Sequence, residues 1–233
     1  MRFAHSNNKI HKEKSSIKFT CKNKLYLVCM IKIFKHLLPL FVVQFFTWLA
    51  LFALWIYATP VITKYVFNST DAESSAFENG ITWVGVCFAF YSTLAAVLAF
   101  AIPRLSARYG KYKLHGMALL TGSLGLLLMF VIKNQYLLLL SFAFIGIGWS
   151  SISSVPYSIV SDMAPENKMS TYFAVFNFSI VIPQITAAFL LAFLTRHFFA
   201  GETVYIILTG ALSMFTAGCI MFFITPKQRL LNN

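Results

Sequence analysis

From Leu37 onward, long apolar stretches alternate with short polar interruptions along the chain. Six apolar stretches stand out, at about 37–63, 80–103, 114–132, 136–161, 171–195 and 203–225, and none contains Asp, Glu, Lys or Arg. About 20 apolar residues, rising 1.5 Å each, cross the roughly 30 Å of hydrocarbon in a bilayer. Each stretch therefore predicts a transmembrane segment. Backbone amides in lipid have no water to bond, so segments this long are expected to be helices. The third and fourth stretches are separated only by Lys133, Asn134 and Gln135, which predicts a tight antiparallel hairpin. The expected fold class is all-α: a polytopic membrane protein of six transmembrane helices.

The flanks read differently. Residues 1–35 are polar and basic with Glu13 as their single acidic residue, and they predict a cytoplasmic arm, flexible or lying on the membrane surface. The short apolar run from Leu25 to Met30 is broken by Lys32 and Lys35, so the arm does not read as a signal peptide. The six spans form one expected unit over 36–225, and 226–233 is expected as a short cytoplasmic tail.

Composition removes the soluble alternatives. A mean hydropathy of +0.73, with 58% hydrophobic and 11% charged residues, leaves too little charge to coat a soluble domain. The net charge of +12 suggests nucleic acid, but the position of the cations argues against it. Nine of the nineteen Lys and Arg residues precede Leu37, and most of the rest lie in short interruptions between spans. With the N-terminus in the cytoplasm, sixteen cations fall on the cytoplasmic side and three, Lys64, Lys133 and Arg196, on the other. That asymmetry is the positive-inside signature. Both termini are expected in the cytoplasm, in a bacterial inner membrane or a plasma membrane, with the lipid bilayer as partner and no nucleic acid. Cys21, Cys29, Cys87 and Cys219 have neither metal nor redox spacing, so no metal, disulfide or cofactor is expected.

Two interruptions carry recognisable patterns. Between the second and third spans, Pro103 is followed by Arg104, Arg108, Gly110, Lys111 and Lys113, where Gly110 permits a sharp reversal and the cations suit lipid headgroups or helix C-termini. Between the fourth and fifth, Asp162 closes one helix and Pro165 prevents its continuation. A basic R-x-G-K loop and a D-x-x-P loop at these two places resemble the signatures of the major facilitator superfamily, whose members are built from two six-helix halves. The segments Gln44-Phe45-Phe46-Thr47-Trp48, Trp149 to Tyr157, and Phe176 to Gln184 are similar to the seventh, tenth and eleventh helices of the sucrose/proton symporters and glycoside–cation symporters. The resemblance covers about 36–225, with Ser170 standing where those relatives commonly carry glycine. It implies that the chain is the C-terminal half of a sugar transporter, with a second six-helix half as partner.

The helix faces give candidates without the family. At 100° per residue, Gln44, Trp48, Trp55 and Thr59 share one face of the first span. Trp149, Ser153, Pro156 and Tyr157 cluster on the fourth span, and Asn177 and Gln184 lie seven apart on the fifth. Indole N–H groups and amides are costly in lipid unless they face protein or water. A sugar fits such a surface, with flat aromatic rings for its C–H faces and neutral amides for its hydroxyls. Each candidate has a plainer reading: amides that bond neighbouring helices, and, for Trp55, a place in the aromatic belt. Trp83 reads as a belt residue. None of the histidines at positions 5, 11, 36, 115 and 197 lies deep in a span, so no proton-coupling residue is evident, and no catalytic constellation predicts an enzyme. The expected function is uptake of sucrose, maltose or a similar glycoside by alternating access, coupled to protons or another cation. The alternative is a six-helix membrane protein that binds and regulates another without transporting.

Overall fold

The computed structural model describes residues 2–224, with side chains at 28 and over 30–224. The helices are α1 (Arg2–Tyr65), α2 (Ser75–Ala99), α3 (Ile102–Tyr109), α4 (Lys111–Val131), α5 (Gln135–Ile152), α6 (Val155–Met163), α7 (Met169–His197) and α8 (Val204–Phe223). A single 3-10 turn, Glu166–Lys168, precedes α7, and no strand occurs among the described residues. Six helical segments are long and apolar enough to cross a membrane, one for each expected span; the fourth runs through α5 and α6. The tail expected over 226–233 lies outside the described residues. The chain divides into two units, Met1–Leu38 and Pro39–Asn233.

The smaller unit is helical from Arg2, where a flexible or surface-lying arm was expected over 1–35. No glycine or proline occurs before Pro39, so no residue there breaks a helix by its own backbone.

In the larger unit, local chemistry sets the helix ends. The Ser74 side chain caps α2 by accepting from Phe77 N at 3.2 Å, and Glu78 sits in the first turn. Asn134 caps α5 by accepting from Tyr136 N at 2.9 Å and Leu137 N at 3.1 Å, which makes the three-residue hairpin possible. The fourth span departs from the single helix expected over 136–161. It breaks at Ser153 and Ser154 and restarts as α6, with Pro156 in the first turn, where a missing N–H costs nothing. The interruption expected as a loop over 104–113 holds the short helix α3, with Pro103 near its start and Gly110 at its end. Gly110 has φ +81°, a conformation that favours glycine and lets α4 begin at the next residue.

Helix packing in lipid depends on close approach rather than on escape from water. In the larger unit α4 packs along both α5 and α8, and α2 packs along α5. A Cβ added to Gly148 would lie 3.0 Å from the Gly122 Cα, so α4 and α5 nearly touch at their backbones. Ser141 donates to the Gly125 carbonyl at 2.5 Å within the same contact. Ser213 of α8 donates to Phe46 O of α1 at 2.7 Å. Leu49 and Ala53 of α1, Ala187 and Leu191 of α7, and Ile206 of α8 form one apolar cluster. The most apolar stretches of α2 and α7 are only 17% and 22% buried, whereas the other four spans are at least half buried.

Candidate functional site

The centre of the site is a triangle of indoles. Trp48 and Trp55, two turns apart on one face of α1, have ring centroids 6.0 Å apart. Trp149 of α5 closes the figure, 6.4 Å from Trp48 and 5.7 Å from Trp55, with both contacts edge-to-face at 87° and 81°. Phe52 extends the cluster, 5.6 Å from Trp55. Trp55, left open by the sequence between cavity and belt, is half-buried and packs against both other indoles. One turn before Trp48, Gln44 is 1% exposed, and its Oε1 is buried with no hydrogen-bond partner among the described residues. The Trp48 Nε1 is buried and unpartnered in the same way.

The other candidates lie on α7 and at or beyond the α5–α6 break. Ser153 is exposed at the α5–α6 break, its hydroxyl donating back to the Trp149 carbonyl at 3.0 Å. Tyr157 of α6 packs against α7, edge-on to Phe176 at 5.2 Å and stacked on Phe173 at 6.3 Å. Asn177 is exposed on α7 and Gln184 half-buried, and neither side chain makes a hydrogen bond among the described residues. Trp83 donates from Nε1 to the Gln135 carbonyl at 3.0 Å, at the start of α5.

The two patterned interruptions meet in space. Lys111, the first residue of α4, forms an ion pair with Asp162 near the end of α6, and its Nζ also donates to the Ser158 carbonyl at 3.3 Å. Arg104 and Arg108 are exposed on α3, with the Arg108 guanidinium 5.4 Å from the Tyr109 ring centroid. Pro165 is buried and extended, which ends α6. A cavity of about 530 Å³ is bordered by Gly110, Lys111 and Asp162 together with Met221 and Phe222 of α8.

A sequence model of the Major Facilitator Superfamily matches residues 5–188, about four fifths of the chain. The chain belongs to the major facilitator superfamily. The match takes in the indole triangle, Asn177, Gln184 and both patterned interruptions, and stops before α8. Comparison with curated proteins finds no match. As a superfamily member the chain is a multi-pass membrane protein of a transporter family, not of an enzyme family.

Two features of this facilitator chain escaped the sequence reading. His115 was expected at the edge of a span, yet it is 0% exposed in the second turn of α4 and shares a 2.9 Å hydrogen bond between Nδ1 and Ser151 Oγ of α5. Its position four residues after Lys111 places both on one helix face, a spacing visible in the sequence. At the opposite end of the bundle, Glu202 in the α7–α8 connection accepts from Lys64 Nζ at 2.8 and 2.9 Å and from the Tyr65 hydroxyl. The Lys64 hydrogen bond, followed by that from Tyr65, holds the Glu202 carboxyl below its ordinary value of 4.5. These partners are 138 and 137 residues apart, and no local pattern announces such a pairing.

Proposed function

We propose that this superfamily member carries a neutral sugar, such as sucrose, maltose or a similar glycoside, by alternating access. The observation that carries the reading is the convergence of Trp48, Trp55 and Trp149 beside the buried amide of Gln44. Aromatic rings offer flat apolar surface to the C–H faces of a pyranose, and an uncharged amide offers hydrogen bonds to hydroxyls. No Asp, Glu, Lys or Arg lies on the central parts of the spans to favour an ionic solute. In this reading Ser153, Tyr157, Asn177 and Gln184 line the rest of one cavity wall. A second six-helix half supplies the opposite wall and covers the poorly buried faces of α2 and α7. The two halves rock about the substrate, with a proton or another cation as the coupled ion. The protein resides in the cell membrane with both termini in the cytoplasm, consistent with the distribution of its cations.

Uptake of radiolabelled sucrose and maltose tests this reading. Cells expressing this chain alone should accumulate neither sugar above background, and co-expression with a six-helix N-terminal half should restore uptake. Background uptake of both sugars with a correctly inserted pair would refute it.

A further inference from the structure

We infer that Gln44 and Trp48 form a hydroxyl-binding pair, which takes one hydroxyl of the carried solute as both donor and acceptor. The inference rests on the sugar reading above and deepens it by assigning the polar contact. Both residues lie on one face of α1, four positions apart, a separation that brings side chains to within about 5–6 Å at their Cβ atoms. Gln44 Oε1 is a pure acceptor and Trp48 Nε1 a pure donor. Each is buried, and neither has a hydrogen-bond partner among the described residues. Leaving such atoms unmatched inside protein opposes folding, so a buried unmatched pair calls for an explanation.

Complementarity narrows the ligand. A hydroxyl donates its hydrogen to Gln44 Oε1 while its oxygen accepts from the Trp48 indole N–H, so a single atom satisfies both. A carboxylate oxygen cannot donate to the amide oxygen, and an ammonium has no lone pair for the indole. The pair therefore favours a hydroxyl over a carboxylate or an ammonium group. Trp149 lies across the site, with its ring 6.4 Å from Trp48 and 5.7 Å from Trp55. In the arrangement seen here the triangle is closed, and a hydroxyl reaches the pair once Trp48 and Trp149 separate.

The test uses the full chain in lipid nanodiscs, assembled with its six-helix partner, and radiolabelled sucrose as the probe. Gln44→Met removes the acceptor at similar volume, and Trp48→Phe removes the donor while keeping an aromatic ring. Each change should weaken sucrose binding about tenfold, the loss expected for one hydrogen bond. The double variant should lose less than the product of the two, because both residues serve the same hydroxyl. Trp83→Phe, at the α2–α5 end contact, should leave affinity unchanged. Without sugar, Gln44→Met should melt no lower than the parent, since it removes an unmatched polar atom. Unchanged sucrose affinity in both single variants would overturn the pair while leaving the sugar reading intact. A Gln44→Met midpoint several degrees lower would also overturn it, by showing that the amide is satisfied within the protein. If the parent binds neither sucrose nor maltose, the sugar reading falls and the sugar-free melting comparison alone decides the pair.

Discussion

At the scale of single residues, backbone conformation and charge give the sharpest expectations. Gly110 has φ +81°, and a Cβ added there would meet nothing within 4 Å, so the cost of substitution is confined to the backbone. Gly110→Ala should destabilise the α3–α4 junction by about 1 kcal/mol, read as a lower unfolding midpoint in detergent micelles. Glu202 provides a pH dependence. Its folded carboxyl titrates below the ordinary 4.5, so its contribution is fully present above about pH 4.5 and is lost as pH falls through the lower folded value. The pair is partly exposed, with side chains 37% and 43% accessible, which keeps the effect modest. Lys64→Met should flatten the acid side of a plot of melting midpoint against pH, and a curve of unchanged shape would show that Lys64 does not hold the carboxylate.

At the scale of helices, contact distance decides what a substitution costs. A Cβ at Gly125 would fall 2.6 Å from the Ser141 carbonyl oxygen and 2.8 Å from Ile145 N, both backbone atoms of α5 that cannot turn aside. Gly125→Ala should force α4 and α5 apart at a cost of about 1–3 kcal/mol. At Gly85 of α2 nothing lies within 4 Å, so Gly85→Ala should be neutral or stabilising by up to about 1 kcal/mol. Melting the two variants side by side checks both expectations. The spans were legible in the sequence because every interruption between them carries charge. Their ends were not, because charge marks where the membrane stops and not where a helix stops: α1 runs through Lys32 and Lys35, and α4 begins at Lys111. Pro156 has no N–H to continue the backbone ladder, and the fourth span breaks just before it, at Ser153 and Ser154. Rotation along α1 placed Gln44, Trp48 and Trp55 on one face, which is a local property. The choice of Trp149 as their partner depends on which helices are neighbours, and a lone sequence does not encode that in any short pattern. The same logic put Asn177 and Gln184 on one face of the fifth span, and their side chains make no hydrogen bond among the described residues.

For the whole molecule, the distribution of cations yields a threading direction. Single-cysteine variants at Ser75, before the second span, and Ser106, on α3, should react with impermeant reagents from opposite sides of the membrane once the native cysteines are replaced. Reaction of both from one side would overturn the six-span topology. The described ion pairs lie at opposite ends of the bundle, Lys64 with Glu202 and Lys111 with Asp162, and between them the helices are joined by close contact and by hydroxyl-to-carbonyl hydrogen bonds such as Ser141 to Gly125 and Ser213 to Phe46. That middle is not uniformly tight. Trp149 belongs to the part of α5 that the short hairpin, Gly122, Gly125 and Ser141 bind to α4. It behaves as the fixed jaw of a vice. Trp48 and Trp55 ride on α1 between Pro39 and Pro60, two sites where the backbone ladder already lacks a rung. Prying the three rings apart is therefore easiest by bending α1, and a spin label on α1 should travel further than one on α5 when a solute enters.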